Sequence, residues 1–294
     1  MDIKFLYGTA WKEESTSDCV FNALNVGYRA IDTANQRKHY NEPGVGDALL
    51  RAYKELDICR EDLFIQTKFT FADGQDHRKP YNVDDPYEVQ VRSSVNSSLK
   101  HLHTNYLDSL ILHGPYSQEG ICEEDKVVWR AMETLCRDGI IKKIGISNMS
   151  LSQLEEIYKF AEIKPKFAQI RCFAARKWER KLRDFCRDHQ ITFQGFSLLT
   201  ANKEYLGGQF KQLQGSKVPK LNFNANYNQN SHFGRIVSET RKTPAQIIFK
   251  FCHQIGILPI TGTTTIENMR LNLEIDDFEL SKSQVEQIEN IAFS

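Results

Sequence analysis

Short runs of apolar and β-branched residues recur along the chain, each followed by a longer stretch with apolar positions at helical spacing. The runs are KFLYGTA (4–10), YRAIDTA (28–34), LFIQTKF (63–69), YLDSLILHG (106–114), KKIGISN (142–148), KFAQIRC (166–172), TFQGFSLLT (192–200) and GILPITGT (256–263). The spacing predicts helices near 15–27, 42–55, 86–102, 124–138, 151–161, 177–189 and 266–273. Alternation of this kind favours a parallel sheet with helices packed on it, and eight units suffice to close a barrel. An α/β fold of the (β/α)8 type is therefore expected.

Helix starts carry their own signals. SLSQ (150–153) and SKSQ (281–284) fit a capping box, in which a Ser hydroxyl and a Gln three residues on satisfy free backbone N–H groups. In TPAQIIFKF, Thr243 stands at the cap and Pro244 in the first turn. The last helix, after Ser281, sets Val285, Ile288 and Ile291 on one face and should pack against the outside of the barrel. Two polar excursions, 71–87 and 201–234, follow strand ends and so belong over the C-terminal mouth. No linker divides the chain, and residues 1–294 are expected to form a single domain. GVGDAL (44–49) is not a dinucleotide fingerprint, since it lacks the third Gly and does not directly follow a strand.

Composition narrows the classes. Lys plus Arg equals Asp plus Glu at 38 each, which gives no footprint for nucleic acid or a membrane surface. No apolar run approaches the ~18 residues of a membrane span, and MDIKFLYGTA lacks the basic-then-apolar layout of a signal peptide. The seven cysteines are odd in number and widely spaced, without CxxC, so mostly buried thiols in a reducing cytoplasm are expected. The eight histidines show no metal-ligand spacing, and no metal site is expected.

The chemistry gathers at strand ends. Asp32 closes the second run, Lys68 the third and His113 the fourth. In a closed barrel these come from neighbouring strands and meet at one mouth. Charged residues at the ends of apolar strands are costly to bury unless paired, and Asp32 with Lys68 forms such a pair. A purely structural salt bridge would meet the same requirement. After Asp32 comes DTANQRKHYNE (32–42), which sets Asp32, His39 and Tyr40 at a strand-to-helix transition.

Together GTAWK, GYRAIDTA, TKF, YLDSLILHGP, KKIGISN, TPAQIIFKF and LEIDDFELS, in this order, make the chain resemble the aldo-keto reductase family from about Gly8 to Ser281. The resemblance implies a (β/α)8 TIM barrel, a nicotinamide cofactor and a tetrad of Asp, Tyr, Lys and His that reduces a carbonyl. Asp32, Lys68 and His113 take three of the four places. The family reads D-T-A-x-x-Y-x-N-E, whereas here Arg37 stands five after Asp32 and His39 two before NE. The loop is two residues longer, and Tyr40 is its only tyrosine. Tyr40 is assigned the proton donor's role, with His39 as the alternative, because Arg cannot donate at neutral pH. Lys68 is expected to lower the phenol's pKa, with Asp32 holding Lys68 and a neutral His113 orienting the substrate oxygen.

The resemblance also implies the cofactor contacts. Ser147, Asn148 and Gln169 match residues that hold the carboxamide; Phe196 takes the stacking position, followed by Ser197 and Leu199. At the adenosine end stand Thr261, Gly262, Thr263, Asn268, Arg270 and Asn272, while Ile260 and Asn268 replace two family cations. NADPH is expected, with NADH possible, Arg270 being the remaining cation. Trp11, Phe71 and Tyr116, with the 201–234 excursion, are expected to shape a pocket for a small-molecule aldehyde or ketone. The protein is expected to be cytoplasmic, and a monomer or a weak homodimer. Two alternatives stand: a non-enzymatic nicotinamide-binding regulatory or redox-sensing barrel, and a lyase in which Lys68 forms a Schiff base.

Overall fold

A computed structural model describes residues 3–207, 209–211, 220–222 and 231–293. Eight parallel strands close into a barrel. They are β1 (Leu6–Gly8), β2 (Ala30–Asp32), β3 (Phe64–Phe69), β4 (Ser109–Leu112), β5 (Ile144–Ser147), β6 (Phe167–Arg171), β7 (Thr192–Phe196) and β10 (Ile257–Thr261), with β10 pairing back onto β1. The short strands β8 (Gln209–Lys211) and β9 (Lys220–Asn222) pair antiparallel in the loop after β7. All eight expected strands are present. That hairpin, and the helix α7 (His232–Thr240) that follows it, were not expected from the polar composition of 201–234. Residues 208, 212–219 and 223–230 of that excursion lie outside the described residues, and with them part of the expected substrate-shaping segment.

Strand alternation builds the interior in layers. Leu6, Ala30, Phe64, Ile111 and Phe167 form an apolar plug apart from the main core. Two residues further along their strands come Asp32, Gln66 and Gln169, all buried, and Lys68 follows Gln66 after another two. The opposite positions, such as Ile31, Ile65, Ile146 and Ile170, face outward into the larger core beneath the helices. The interior thus passes from oil to polar groups towards the C-terminal mouth.

Around the barrel run α1 (Thr16–Val26), α2 (Glu42–Glu55), α3 (Tyr87–His101), α4 (Glu123–Arg137), α5 (Leu151–Phe160), α6 (Arg180–Asp188), α8 (Pro244–Gln254) and α9 (Ile266–Leu273). The capping boxes at Ser150 and Ser281 form as their spacing predicts, and Thr243 caps α8 as expected, with Gln246 completing a further capping box there. GVGDAL lies inside α2, away from any phosphate-binding turn. The last helix, α10 (Lys282–Glu289), packs on α7 and α8 and buries Ile288 completely.

Helix α6 begins three residues later than the expected 177. Lys177, Trp178 and Glu179 all take left-handed backbone angles, with φ of 51°, 53° and 58°, which no right-handed helix accepts. Packing maintains the turn. Trp178 is fully buried and its indole N–H donates to the Ile288 carbonyl at 3.0 Å, while Arg180 and Arg183 both pair with Glu289.

One close approach fixes α2, and so the end of the loop before it. A Cβ at Gly46 would lie 1.8 Å from the His101 carbonyl oxygen. Gly-to-Ala changes inside helices ordinarily stabilise, by about 0.4–1 kcal/mol. Here overpacking, at roughly 1–3 kcal/mol, outweighs that gain. Gly46→Ala should therefore lower the melting temperature by several degrees, and an unchanged or raised melting point would show that α3 gives way freely.

Candidate active site

The mouth is organised around Lys68. Its Nζ donates to Asp32 Oδ2 at 2.7 Å and to the Thr33 carbonyl at 2.7 Å, leaving a third proton. The side chain is fully shielded from solvent. Asp32 Oδ1 accepts from Gln66 Nε2 at 2.7 Å and from Gln169 Nε2 at 2.9 Å. Those amides are steadied by Gln194, whose Oε1 accepts from Gln66 at 2.9 Å and from Gln169 at 3.1 Å. Gln194 Nε2 returns a hydrogen bond to Gln66 Oε1 at 3.0 Å. Four strands thus contribute to one buried polar layer.

Burial alone would lower the Lys68 pKa, but the Asp32 carboxylate, with Tyr40, raises it overall. Schiff-base chemistry requires a neutral amine, and the raised pKa of Lys68 beside Asp32 disfavours the lyase alternative.

Tyr40 enters from the loop before α2. Residues 37–39 form a turn, Asn41 caps α2 by accepting from the Gly44 amide at 3.3 Å, and Glu42 begins the helix. This places the Tyr40 ring 5.1 Å from the Lys68 ammonium and 5.9 Å from the His113 ring. The phenol's pKa is raised, against expectation: burial pushes it up, and the pull of Lys68, opposed by Asp32, does not offset this. The hydroxyl therefore keeps its proton at neutral pH. His39 takes a different position. Its Nδ1 pairs with Gln36 Oε1 at 2.9 Å, and its ring lies 4.0 Å from that of Trp11.

His113 follows β4. Its Nδ1 is 2.7 Å from Thr70 Oγ1, and its carbonyl accepts from Asn148 Nδ2 at 2.8 Å. Burial, then the Lys68 charge, hold its pKa well below the ordinary imidazole range, so the ring is neutral.

The other expected residues divide by position. Ser147 faces Gln169 across β5 and β6, and its buried hydroxyl has no hydrogen-bond partner among the described residues. Gln169 has its amide nitrogen committed to Asp32 and Gln194, which leaves its carbonyl oxygen for a ligand. Asn148 and Ser197 both adopt positive φ, 55° and 57°, at the ends of β5 and β7. Phe196 and Leu199 are half-buried beside them. Asn272 is buried and donates to Thr261 Oγ1 at 3.1 Å, so part of its capacity is internal. The Thr263 carbonyl accepts from the Tyr7 hydroxyl at 2.8 Å. Asn268 and Arg270 are exposed on α9, whose N-terminus has no side-chain cap.

Of the expected pocket aromatics, Trp11 is 55% exposed and Tyr116 48%. Phe71 is buried, and it packs against Phe69, Tyr87 and Tyr116 with ring centres 5.1–5.8 Å away. Tyr116 is the outer member of this aromatic group.

Lys12 gave no signal of its own in the sequence beyond being a cation just past the first strand. It is buried, its Nζ donates to the Gly262 carbonyl at 2.7 Å, and it lies 5.1 Å from the Tyr7 ring. Gln66 and Gln194 were equally silent. A polar residue two positions before a strand-end charge is the pattern that marks Gln66.

A model of the aldo/keto reductase family matches residues 5–292. The chain is 32% identical over 273 residues to glyoxal reductase of Bacillus subtilis, covering 93% of this chain and 82% of that protein. It is 31% identical to the NAD/NADP-dependent indole-3-acetaldehyde reductase of Schizosaccharomyces pombe, covering 92% and 82%. An aldo/keto reductase crystal structure from Brucella melitensis superposes with a TM-score of 0.75 at 26% identity, covering 98% of this chain and 94% of that one.

The neutral state of His113 has a consequence for stability. In the unfolded chain the imidazole takes up a proton near pH ~6.5, which the folded site refuses. Acidification below that value favours the unfolded state, so stability is full above it and is lost as the pH falls. The melting temperature should drop between pH 7.5 and 5.5, and the drop should be smaller in His113→Gln. Equal drops in the two proteins would mean that His113 is protonated as readily folded as unfolded.

Proposed function

The chain belongs to the aldo/keto reductase family, and on that footing we propose that it reduces a small or medium aldehyde or ketone to the alcohol, with Tyr40 as proton donor. One arrangement carries this: a protonated Tyr40, a charged Lys68 held by Asp32 at 2.7 Å, and a neutral His113, gathered at one mouth. Donors that converge on an oxygen are what a carbonyl needs as negative charge grows on it.

A nicotinamide dinucleotide, when bound, supplies the hydride. The residues present fit such a group. The orphaned Ser147 hydroxyl and the free oxygen of Gln169 suit a carboxamide, which both donates and accepts. Phe196 offers a ring for stacking. The uncapped start of α9, with Thr261, Gly262 and Thr263 before it, suits an anion. Lys12 and Arg270 supply positive charge on either side of that loop. The chain's own steps are then few. His113 orients the substrate oxygen, Tyr40 passes its proton to that oxygen, and Lys68 stabilises the phenolate left behind. Trp11 and Tyr116 favour an apolar substrate body.

The choice between Tyr40 and His39 is tested by turnover of a panel of aldehydes with NADPH or NADH. Tyr40→Phe should lower kcat by at least ~100-fold, the low end for losing acid–base help, with cofactor binding retained. His39→Gln should remain within a few-fold of the parent. The reverse pattern would give the donor's role to His39. Cofactor binding without turnover in the unaltered protein would favour the regulatory barrel.

Cofactor preference follows from the charges. With Ile260 and Asn268 in place of family cations, Arg270 is left as the exposed cation on α9. A hydrogen bond to a charged group contributes about 1.5–3 kcal/mol. Arg270→Ala should therefore weaken NADPH binding by roughly tenfold or more while sparing NADH, read by cofactor fluorescence. An unchanged affinity ratio would exclude Arg270 as the phosphate's partner.

A further inference from the structure

We propose that Thr70 is a positioning residue that selects the working tautomer of His113, its buried hydroxyl donating to Nδ1 so that Nε2 carries the ring proton towards the mouth. The contact is short, with Thr70 Oγ1 and His113 Nδ1 2.7 Å apart. Distance alone leaves either atom as the donor, and hydrogen-bond satisfaction decides between them. If Nδ1 carried the proton, the Thr70 hydroxyl would accept it and its own hydrogen would need another acceptor. Among the described residues that hydroxyl forms no second hydrogen bond, and Thr70 is 6% exposed. A buried donor left without an acceptor is costly. If the hydroxyl donates to Nδ1, every buried hydrogen is satisfied, and the proton of the neutral ring must sit on Nε2.

Thr70 is well held for this role. Its carbonyl accepts from the Tyr81 hydroxyl at 2.6 Å and from Gln75 Nε2 at 3.4 Å. The His113 main chain is fixed on both sides, its amide donating to the Phe69 carbonyl at 2.9 Å and its carbonyl accepting from Asn148. With Nδ1 taken, Nε2 is the nitrogen left for a ligand, and as an N–H it donates to a carbonyl oxygen. With the other tautomer it would offer a lone pair to that oxygen and repel it.

The tautomer is a property of the protein alone, whereas the consequence for turnover rests on the carbonyl-reductase reading of the site. The test separates the two. In full-length protein labelled with 15N-histidine, the His113 signals are identified by their loss in His113→Gln. Long-range 1H–15N spectra should show a pyrrole-like Nε2 and a pyridine-like Nδ1. A protonated Nδ1 in the unaltered protein would overturn the proposal. Thr70→Val keeps the side chain's shape and removes the hydroxyl. It should lose the single-tautomer signature and reduce kcat/KM for an aldehyde about tenfold, the scale of one hydrogen bond, with NADPH affinity unchanged. Thr70→Ser should restore both. Thr70→Val with parental spectra and parental kcat/KM would also overturn it. An unaltered protein with the expected tautomer but no reductase activity would instead overturn the reading of the function and leave Thr70's control of the ring standing.

Discussion

The ammonium of Lys68 and the carboxylate of Asp32 lie 2.7 Å apart inside the barrel, nearly out of reach of water. Two charges removed from solvent incur a desolvation cost of several kcal/mol each, and their mutual attraction offsets this only when the remaining polar capacity is also satisfied. The barrel meets that condition in an unusual way. Asp32 Oδ1 takes two amide donors and Oδ2 takes the ammonium, while Lys68 also donates to the Thr33 carbonyl. The amides are fixed in turn by Gln194, which reaches Gln66 from across the barrel and Gln169 from the adjacent strand. Removing a glutamine would loosen the carboxylate, and a loosened carboxylate would free the ammonium on which the electrostatics of the mouth depend.

That dependence explains what was legible in the sequence. Strand-end charges could be read because an Asp, a Lys and a His each close an apolar run, and barrel geometry turns consecutive strand ends into neighbours. The eight strands were legible for the same reason: their apolar runs face a core that surrounds them. The glutamine layer was not. Gln66 and Gln194 are 128 residues apart, and their pairing depends on how barrel closure faces β3 towards β7, which no local pattern encodes. The left-handed turn at Lys177, Trp178 and Glu179 was hidden as well. None of the three is a glycine, and the conformation survives because Trp178 is buried against the C-terminal helix. The hairpin in the 201–234 excursion escaped because polar composition there masks weak periodicity, and α7, which starts at its end, escaped with it. Lys12 escaped because a lysine after a tryptophan reads as ordinary surface until the fold brings it onto Gly262.

Tyr40 shows where a resemblance has to yield to local structure. The position two before Asn41, where the family pattern sets a tyrosine, holds His39 here, and that side chain is bound to Gln36 and lies tilted against the Trp11 ring. The two extra residues are absorbed in the turn at 37–39, so Tyr40 reaches the neighbourhood of Lys68 while Asn41 still caps the helix.

The single cation acts on its neighbours in opposite senses. It works with burial at His113, where a second positive charge is disfavoured, and the ring stays neutral. It works against burial at Tyr40, where it favours the phenolate without prevailing, and the hydroxyl keeps its proton. Both outcomes leave a neutral hydrogen-bond donor beside a fixed positive charge. Lys68 thus need not lower the phenol's pKa in the resting protein. Its field is already in place, in surroundings that exclude water, for negative charge that develops beside it. Stabilisation by a charge that does not have to move costs no reorganisation at that moment. The ring of glutamines that holds Asp32 is what keeps that charge still.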